Sequence, residues 1–164
     1  TGGWDNNFRY KNFDVSMLFF FSGGNYVYNG TRAGMLDQRS WNNTTDVLRR
    51  WQRAGDQTDI PRVVFGDNIS NGSGVVISEN VERGDFLKLR NITVGYTLPK
   101  RLTDRAGISS FRFFAQVFNA FTLTGYRGYD PEISSNGNGN SNPSVDRNSV
   151  PQARSFNIGI NVGF

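Results

Sequence analysis

The last ten residues constrain the fold of this chain more than any other segment. Residues 155–164 read SFNIGINVGF, in which apolar residues alternate without exception with Ser, Asn or Gly. Successive side chains of a β-strand point to opposite faces, so the pattern predicts a strand with one apolar face. That face consists of Phe156, Ile158, Ile160, Val162 and Phe164.

Four other segments alternate less regularly and are also predicted to be strands. With the last one, the predicted strands are residues 1–10, 13–21, 86–98, 110–122 and 154–164. Leu18 and Phe20 interrupt the pattern of the second strand, and Asn119 falls on the apolar face of the fourth. The chain is therefore predicted to be all-β.

The connections between these strands alternate between short and long. The turn at Lys11 and Asn12 is tight, with Asn12 suited to a positive φ, and the connection after Pro99 is short. Residues 22–85 and 123–153 form long loops. Short turns at one end and long loops at the other are typical of outer-membrane barrels, with the long loops extracellular. Within the first long loop, residues 45–55 predict a short helix that Thr45 caps.

Composition removes several classes of function. The chain has no Cys and no His, which removes thiolate sites and the commonest general base and metal ligand. We therefore expect no catalytic residue, no metal, no cofactor and no enzymatic activity. The basic residues are scattered rather than gathered on one face, which argues against nucleic-acid binding. No apolar run reaches the roughly 18 residues of a membrane helix.

Alternation alone does not separate a membrane barrel from a soluble β-sandwich. The polar faces carry mostly small neutral residues, which suits the lumen of a barrel better than a solvated surface. Aromatic residues near the predicted strand ends resemble interfacial girdles: Tyr10, Tyr26, Tyr28, Phe86, Tyr126 and Phe164. These features favour the barrel, while a sandwich with the aromatics in its core stays open on this reasoning.

Five motifs, in order along the chain, resemble the SusC/RagA family of TonB-dependent importers. They are YKNFD at residues 10–14, the RW and TDIPR pair within residues 50–62, FLKLRNITVGYTLP at 86–99, GYRGYDPE at 125–132 and VPQARSFNIGINVGF at 150–164. Two departures are the VFNAF segment at 117–121, where the family usually has G-x-N-L-F, and Val150, where it usually has Tyr.

The resemblance implies that residues 1–164 are the last five strands of a transmembrane barrel of about 22 antiparallel strands in the outer membrane. It implies import of oligosaccharides or peptides with a SusD-like surface lipoprotein and the TonB complex. The plug domain and TonB segment are not within these residues. Five strands leave two open edges, so this stretch is not expected to fold alone. The alternatives are a barrel that acts as receptor or adhesin without transport, and a soluble carbohydrate-binding sandwich.

These interpretations assign roles to individual residues. Phe156, Ile158, Ile160 and Val162 are expected to face membrane lipid, with Asn157, Gly159 and Asn161 toward the lumen. Phe164 ends the apolar face, and the resemblance makes it part of a signal read by the barrel-assembly machinery.

Other candidates lie in the long loops. Four aromatic residues are candidates for contact with substrate or with the lipoprotein lid: Trp41, Trp51, Tyr126 and Tyr129. The alternative is that they anchor the loops to each other. The acidic residues Asp130, Glu132 and Asp146 are expected to be solvated rather than catalytic or metal-binding.

Overall fold

The computed structural model describes residues 1–39, 41–67, 76–135 and 144–164. Its strands, in chain order, are β1 (Gly2–Tyr10), β2 (Phe13–Ser22), β3 (Tyr26–Asn29), β4 (Val81–Arg83), β5 (Phe86–Thr97), β6 (Ser110–Thr124), β7 (Val145–Asp146) and β8 (Ser155–Gly163). The helices are α1 (Gly30–Met35), α2 (Lys100–Thr103) and three 3-10 turns at Thr45–Arg49, Ser78–Asn80 and Asp104–Ala106. None of the described helices is long and apolar enough to cross a membrane.

Five strands form one sheet in the order β1-β2-β5-β6-β8, and every neighbouring pair is antiparallel. This confirms the prediction of an all-β chain with about five strands in an antiparallel sheet. In this sheet β1 and β8 each pair on one side only and do not pair with each other. The sheet is therefore open, and each edge strand presents unpaired backbone groups.

Two register shifts explain why the alternation is irregular in the middle strands. The pairing of β2 with β5 shifts between Leu18 and Phe19, and the pairing of β5 with β6 shifts between Leu89 and Asn91. Asn119, opposite this region on β6, has a φ of 50°. A β-bulge of this kind adds an unpaired residue and redirects side chains, so a strict period of two fails across it.

The tight turn after β1 differs from its prediction in one respect. Lys11, and not Asn12, has the positive φ, at 53°. The side chain of Asn12 instead donates a hydrogen bond of 2.8 Å to the carbonyl of Thr97. Asn12 therefore joins this turn to the end of β5, and Lys11 takes the left-handed conformation.

The two segments that the sequence marks as long loops contribute to a second compact unit, Gly24–Gly84 with Tyr126–Pro151. It contains a small sheet in the order β4-β3-β7, in which β3 and β7 are parallel. Val27, Ala33 and Ile60 are buried in it. This secondary structure was missed because strands of two to four residues are too short to show a period.

The predicted helix at residues 45–55 was wrong in length and type. The structure has only a 3-10 turn at Thr45–Arg49, which Thr44 precedes with no side-chain capping bond. A 3-10 turn rarely extends beyond one turn, because its hydrogen bonds are poorly aligned. Arg50 takes an extended conformation and ends it.

Candidate functional site

One face of the five-stranded sheet is a continuous apolar surface. The register aligns apolar residues across neighbouring strands in rows. One row contains Tyr10, Phe13, Tyr96, Phe113 and Ile160. The next contains Phe8, Val15, Val94, Ala115 and Ile158. A third contains Met17, Ile92, Val117 and Phe156, with Asn6 at its β1 end.

This apolar surface is open in the chain. Ile158 is 87% exposed and Phe156 is 71% exposed, although both lie in regular strand structure. Contiguous apolar surfaces larger than a few hundred Å² are rare on soluble monomers and mark contact with a membrane or a partner.

The opposite face carries mostly polar and small residues, together with Phe114 and Phe118, and several of its polar groups form hydrogen bonds between strands. The Arg112 guanidinium on β6 reaches across β5 to Asp14 on β2, with Nε 3.0 Å from Oδ1. It passes over Gly95, where a side chain would overlap it. Farther along, the side-chain amide of Gln116 donates to Asn91 at 3.0 Å. The face is thus mostly polar, and polar side chains on neighbouring strands pair with each other across it.

Cations and aromatic rings meet where the polar face approaches the start of β5. The rings of Phe20 and Phe86 lie 5.9 Å apart. Arg90 stacks 3.8 Å from the centre of the Phe20 ring, and the Lys88 ammonium lies 5.6 Å from that of Phe86. The alternation pattern does not predict this cluster, because in that pattern Phe20 is only an interruption of β2.

Buried polar groups join the two segments of the second unit. The Tyr126 hydroxyl donates a 2.8 Å hydrogen bond to Oδ2 of Asp146, and Thr31 donates to Oδ1 at 3.4 Å. Burial, and then the bond to this carboxylate, raise the pKa of Tyr126 above that of an ordinary tyrosine. Tyr126 and Asp146 are both buried.

A second buried carboxylate makes a similar connection. Glu82 accepts a hydrogen bond from the side chain of Asn29 at 3.2 Å and forms an ion pair with Arg127 at 3.1 Å. The backbone N–H of Arg127 also donates to Glu82 at 3.0 Å. Asn29 and Glu82 belong to one long segment and Arg127 to the other. The Glu82 carboxylate therefore joins the two segments through hydrogen bonds and an ion pair.

No family model matches the chain. It is 32% identical over 168 residues to TonB-dependent receptor P3 of Formosa agariphila, covering 100% of this chain and 16% of that protein. It is 27% identical over 173 residues to the TonB-dependent receptor SusC of Bacteroides thetaiotaomicron, covering 99% of this chain and 15% of SusC. The whole chain fits a fragment of a TonB-dependent receptor of the SusC/RagA family.

A solved structure supports the same fold. The RagAB peptide importer in its open-open state superposes with a TM-score of 0.80 at 24% identity, covering 99% of this chain and 17% of that one. The closed-closed state of the same importer gives the same TM-score. The sheet is therefore part of an antiparallel β-barrel. The SusC/RagA-type chain spans about a sixth of the length of the relatives it matches.

The four aromatic loop candidates of this SusC/RagA-type chain occupy different environments. Trp41 and Tyr129 are exposed and line separate cavities of about 240 and 310 Å³. Trp51 is half-buried, with the guanidinium of Arg62 5.9 Å from its ring centre. Tyr126 is buried and bonded to Asp146, so its geometry matches the anchoring alternative.

The interpretation of the aromatics as interfacial girdles was wrong at two positions. Phe86 and Tyr126 are both buried within the chain, so they present no ring to a membrane interface. Tyr10 and Phe164 are exposed, at 72% and 95%. Proximity to a strand end marks a girdle residue only if its side chain points outward, which sequence position alone does not decide.

The expectation that the loop carboxylates are solvated was also wrong for two of three. Asp130 and Asp146 are buried, and only Glu132 is partly exposed. Asp130 accepts a hydrogen bond of 3.0 Å from the backbone N–H of Glu132. Within the part of the chain that the structure describes, no three acidic side chains are grouped so that they could hold a metal ion.

Proposed function

We propose that this chain is a section of the wall and extracellular loops of a TonB-dependent importer in the cell outer membrane. The observation that carries the proposal is the two-faced sheet: one face is apolar and exposed, and the other is mostly polar and paired. Such a sheet suits a barrel wall, with hydrocarbon on one side and an aqueous or protein-filled lumen on the other. Similarity to named TonB-dependent receptors along the whole chain supports it.

The substrate class is an oligosaccharide or a peptide. The wall has no chemistry to perform in this mechanism, and its role is to hold a path that opens and closes. Energy comes from the inner membrane through the TonB complex, which acts on parts of the receptor outside this chain. Phe164, at the end of the apolar face, is read by the barrel-assembly machinery during insertion.

The long segments 22–85 and 123–153 lie on the extracellular side and meet a SusD-like lipoprotein. Trp41 and Tyr129 are the residues available for such contacts, since both rings are exposed. Glu82 and Asp146 join the two segments, so the segments that carry Trp41 and Tyr129 are held in a fixed arrangement.

Labelling of single cysteines tests the topology. This stretch contains no Cys, so Tyr129→Cys and Lys100→Cys each introduce one thiol into it. In the full-length receptor on intact cells, a membrane-impermeant maleimide should label the Tyr129→Cys variant and reach the Lys100→Cys variant only after the outer membrane is ruptured. The reverse pattern would overturn the assignment of the loops to the cell surface.

Uptake tests the transport function. Cells that express the full-length receptor should accumulate a member of a panel of labelled oligosaccharides and peptides, and inactivation of TonB should abolish accumulation. A receptor or adhesin without transport would instead retain surface binding of the labelled compound with no TonB-dependent accumulation.

A further inference from the structure

We infer that one end of the sheet binds the headgroups of anionic phospholipids in the periplasmic leaflet of the outer membrane. The surface, called here the basic rim, consists of Lys11, Lys100, Arg101 and Arg105. The inference rests on the proposed membrane position of the sheet. It adds a lipid ligand at the end of the sheet opposite the long segments that are proposed to meet the lipoprotein.

The four cations come from two turns that lie side by side. The side chain and backbone carbonyl of Asn12, in the first turn, bond to the carbonyl and N–H of Thr97, both at 2.8 Å. Thr97 ends β5, and α2 starts three residues later at Lys100. Lys11 in the tight turn and the cations of the second connection therefore occupy the same end of the sheet.

These side chains are available for a ligand. All four are exposed, and in the described ranges none of them forms an ion pair. Asp104 is the one carboxylate between residues 98 and 109. The rim thus carries an excess of positive charge, and solvated cations near a membrane surface attract anionic lipids.

The rim adjoins the apolar face at an aromatic row. Phe13 and Tyr96 lie in the row nearest the turns, with ring centres 4.6 Å apart. The ammonium of Lys11 lies 5.3 Å from the centre of the Tyr10 ring. Leu102, between Arg101 and Arg105, is 59% exposed although it is apolar. Aromatic rings mark the depth where hydrocarbon meets headgroups, so the neighbouring cations lie at the level of the lipid phosphates.

The chemistry favours a phospholipid over a soluble anion. Arg and Lys bind phosphate oxygens, while Leu102 beside them suits an acyl chain. A soluble anion would gain from the charges but not from the adjoining apolar surface. A phospholipid has both a phosphate for the cations and an acyl chain for the apolar surface. In the proposed topology the short turns face the periplasmic leaflet, which consists of phospholipids.

The experiment compares two triple variants of the full-length receptor in nanodiscs. The first, Lys100→Gln/Arg101→Gln/Arg105→Gln, removes three rim charges. The matched control, Arg53→Gln/Arg62→Gln/Arg147→Gln, removes three exposed arginines of the second unit. Binding of phosphatidylglycerol is measured by native mass spectrometry and by the shift in Tm between phosphatidylglycerol and phosphatidylcholine nanodiscs.

The rim variant should bind phosphatidylglycerol more weakly by about fivefold for each removed charge, while the control should bind like the unchanged receptor. A Lys11→Arg/Lys100→Arg variant should retain binding, since it keeps the charge. Equal binding by the rim variant and the control would overturn the inference. So would a preference for lipopolysaccharide over phosphatidylglycerol, or loss of a co-purifying protein instead of lipid.

The result is separable from that of the proposed function. A rim variant that loses lipid but still accumulates substrate through TonB supports both proposals. If the unchanged receptor shows no TonB-dependent uptake, the proposed transport function is contradicted, while the lipid measurement is unaffected.

Discussion

Replacing Ile158 by Arg is the sharpest test of the face assignment of the sheet. Ile158 lies in the middle of β8, opposite Ala115 of β6, and is 87% exposed in the chain. The proposed membrane position of the sheet predicts that nearly all of that side chain contacts lipid. Removing the isoleucine side chain from this apolar environment costs about 1.5–3 kcal/mol of transfer free energy. Placing Arg near the bilayer midplane costs about 2–4 kcal/mol more.

The full-length receptor should therefore lose about 3.5–7 kcal/mol of folding free energy in the Ile158→Arg variant, a shift of at least several hundredfold in the folding equilibrium. Guanidinium titration of the receptor in lipid vesicles measures this loss. The control is Asn157→Arg, which makes the same change one residue earlier on the opposite face. That variant should differ from the unchanged receptor by no more than about 1 kcal/mol, because its side chain meets water or polar groups.

Two outcomes would refute the reasoning. Equal destabilisation by Ile158→Arg and Asn157→Arg would show that both faces are buried in protein, as in a sandwich. Greater destabilisation by Asn157→Arg would reverse the two faces.

Three further substitutions test the paired polar groups. Gly95→Val should displace the Arg112 guanidinium that crosses it and cost about 1–3 kcal/mol in the same titration, because the new side chain overlaps that group. Tyr126→Phe should cost about 1 kcal/mol at neutral pH. Because the pKa of Tyr126 is raised in the folded state, its contribution is present below about pH 10 and is lost as the pH rises further, so the variant should lose less stability than the unchanged receptor on alkaline titration. Glu82→Gln should increase proteolysis of the long segments, whereas Glu79→Gln, at an exposed position nearby, should not.

The large sheet could be predicted from the sequence because its strands are long and one of their faces is apolar. In β8 all of the alternating positions agree, and the structure forms a strand over Ser155–Gly163. The pattern fails at Leu18 and Asn119, where register shifts add residues to one strand and not to its neighbour. A bulge depends on pairing with a distant strand, so a single segment does not reveal it.

The second unit could not be predicted for a different physical reason. Its buried residues include the charged side chains of Arg32, Glu82 and Asp146. Such residues are usually assigned to solvent when only the sequence is known, because burial of a charge is costly without partners. Several of their partners lie more than forty residues away along the chain, as Asn29 does from Glu82 and Asn80 from Arg32. The sequence also leaves open whether Tyr126 contacts a ligand or anchors the loops, because its bond to Asp146 depends on the folded structure.

Joining of the two long segments has a consequence for how such receptors diversify. β3 pairs with β7, and Glu82 is shared between the segments, so neither segment keeps its buried hydrogen bonds if the other is exchanged. Recombination that transfers only residues 24–84 to another receptor would separate them from the residues 126–151 with which they form their core. A functional graft needs residues 126–151 as well, so the two segments are inherited and engineered as a single cassette, although β5 and β6 separate them in the gene.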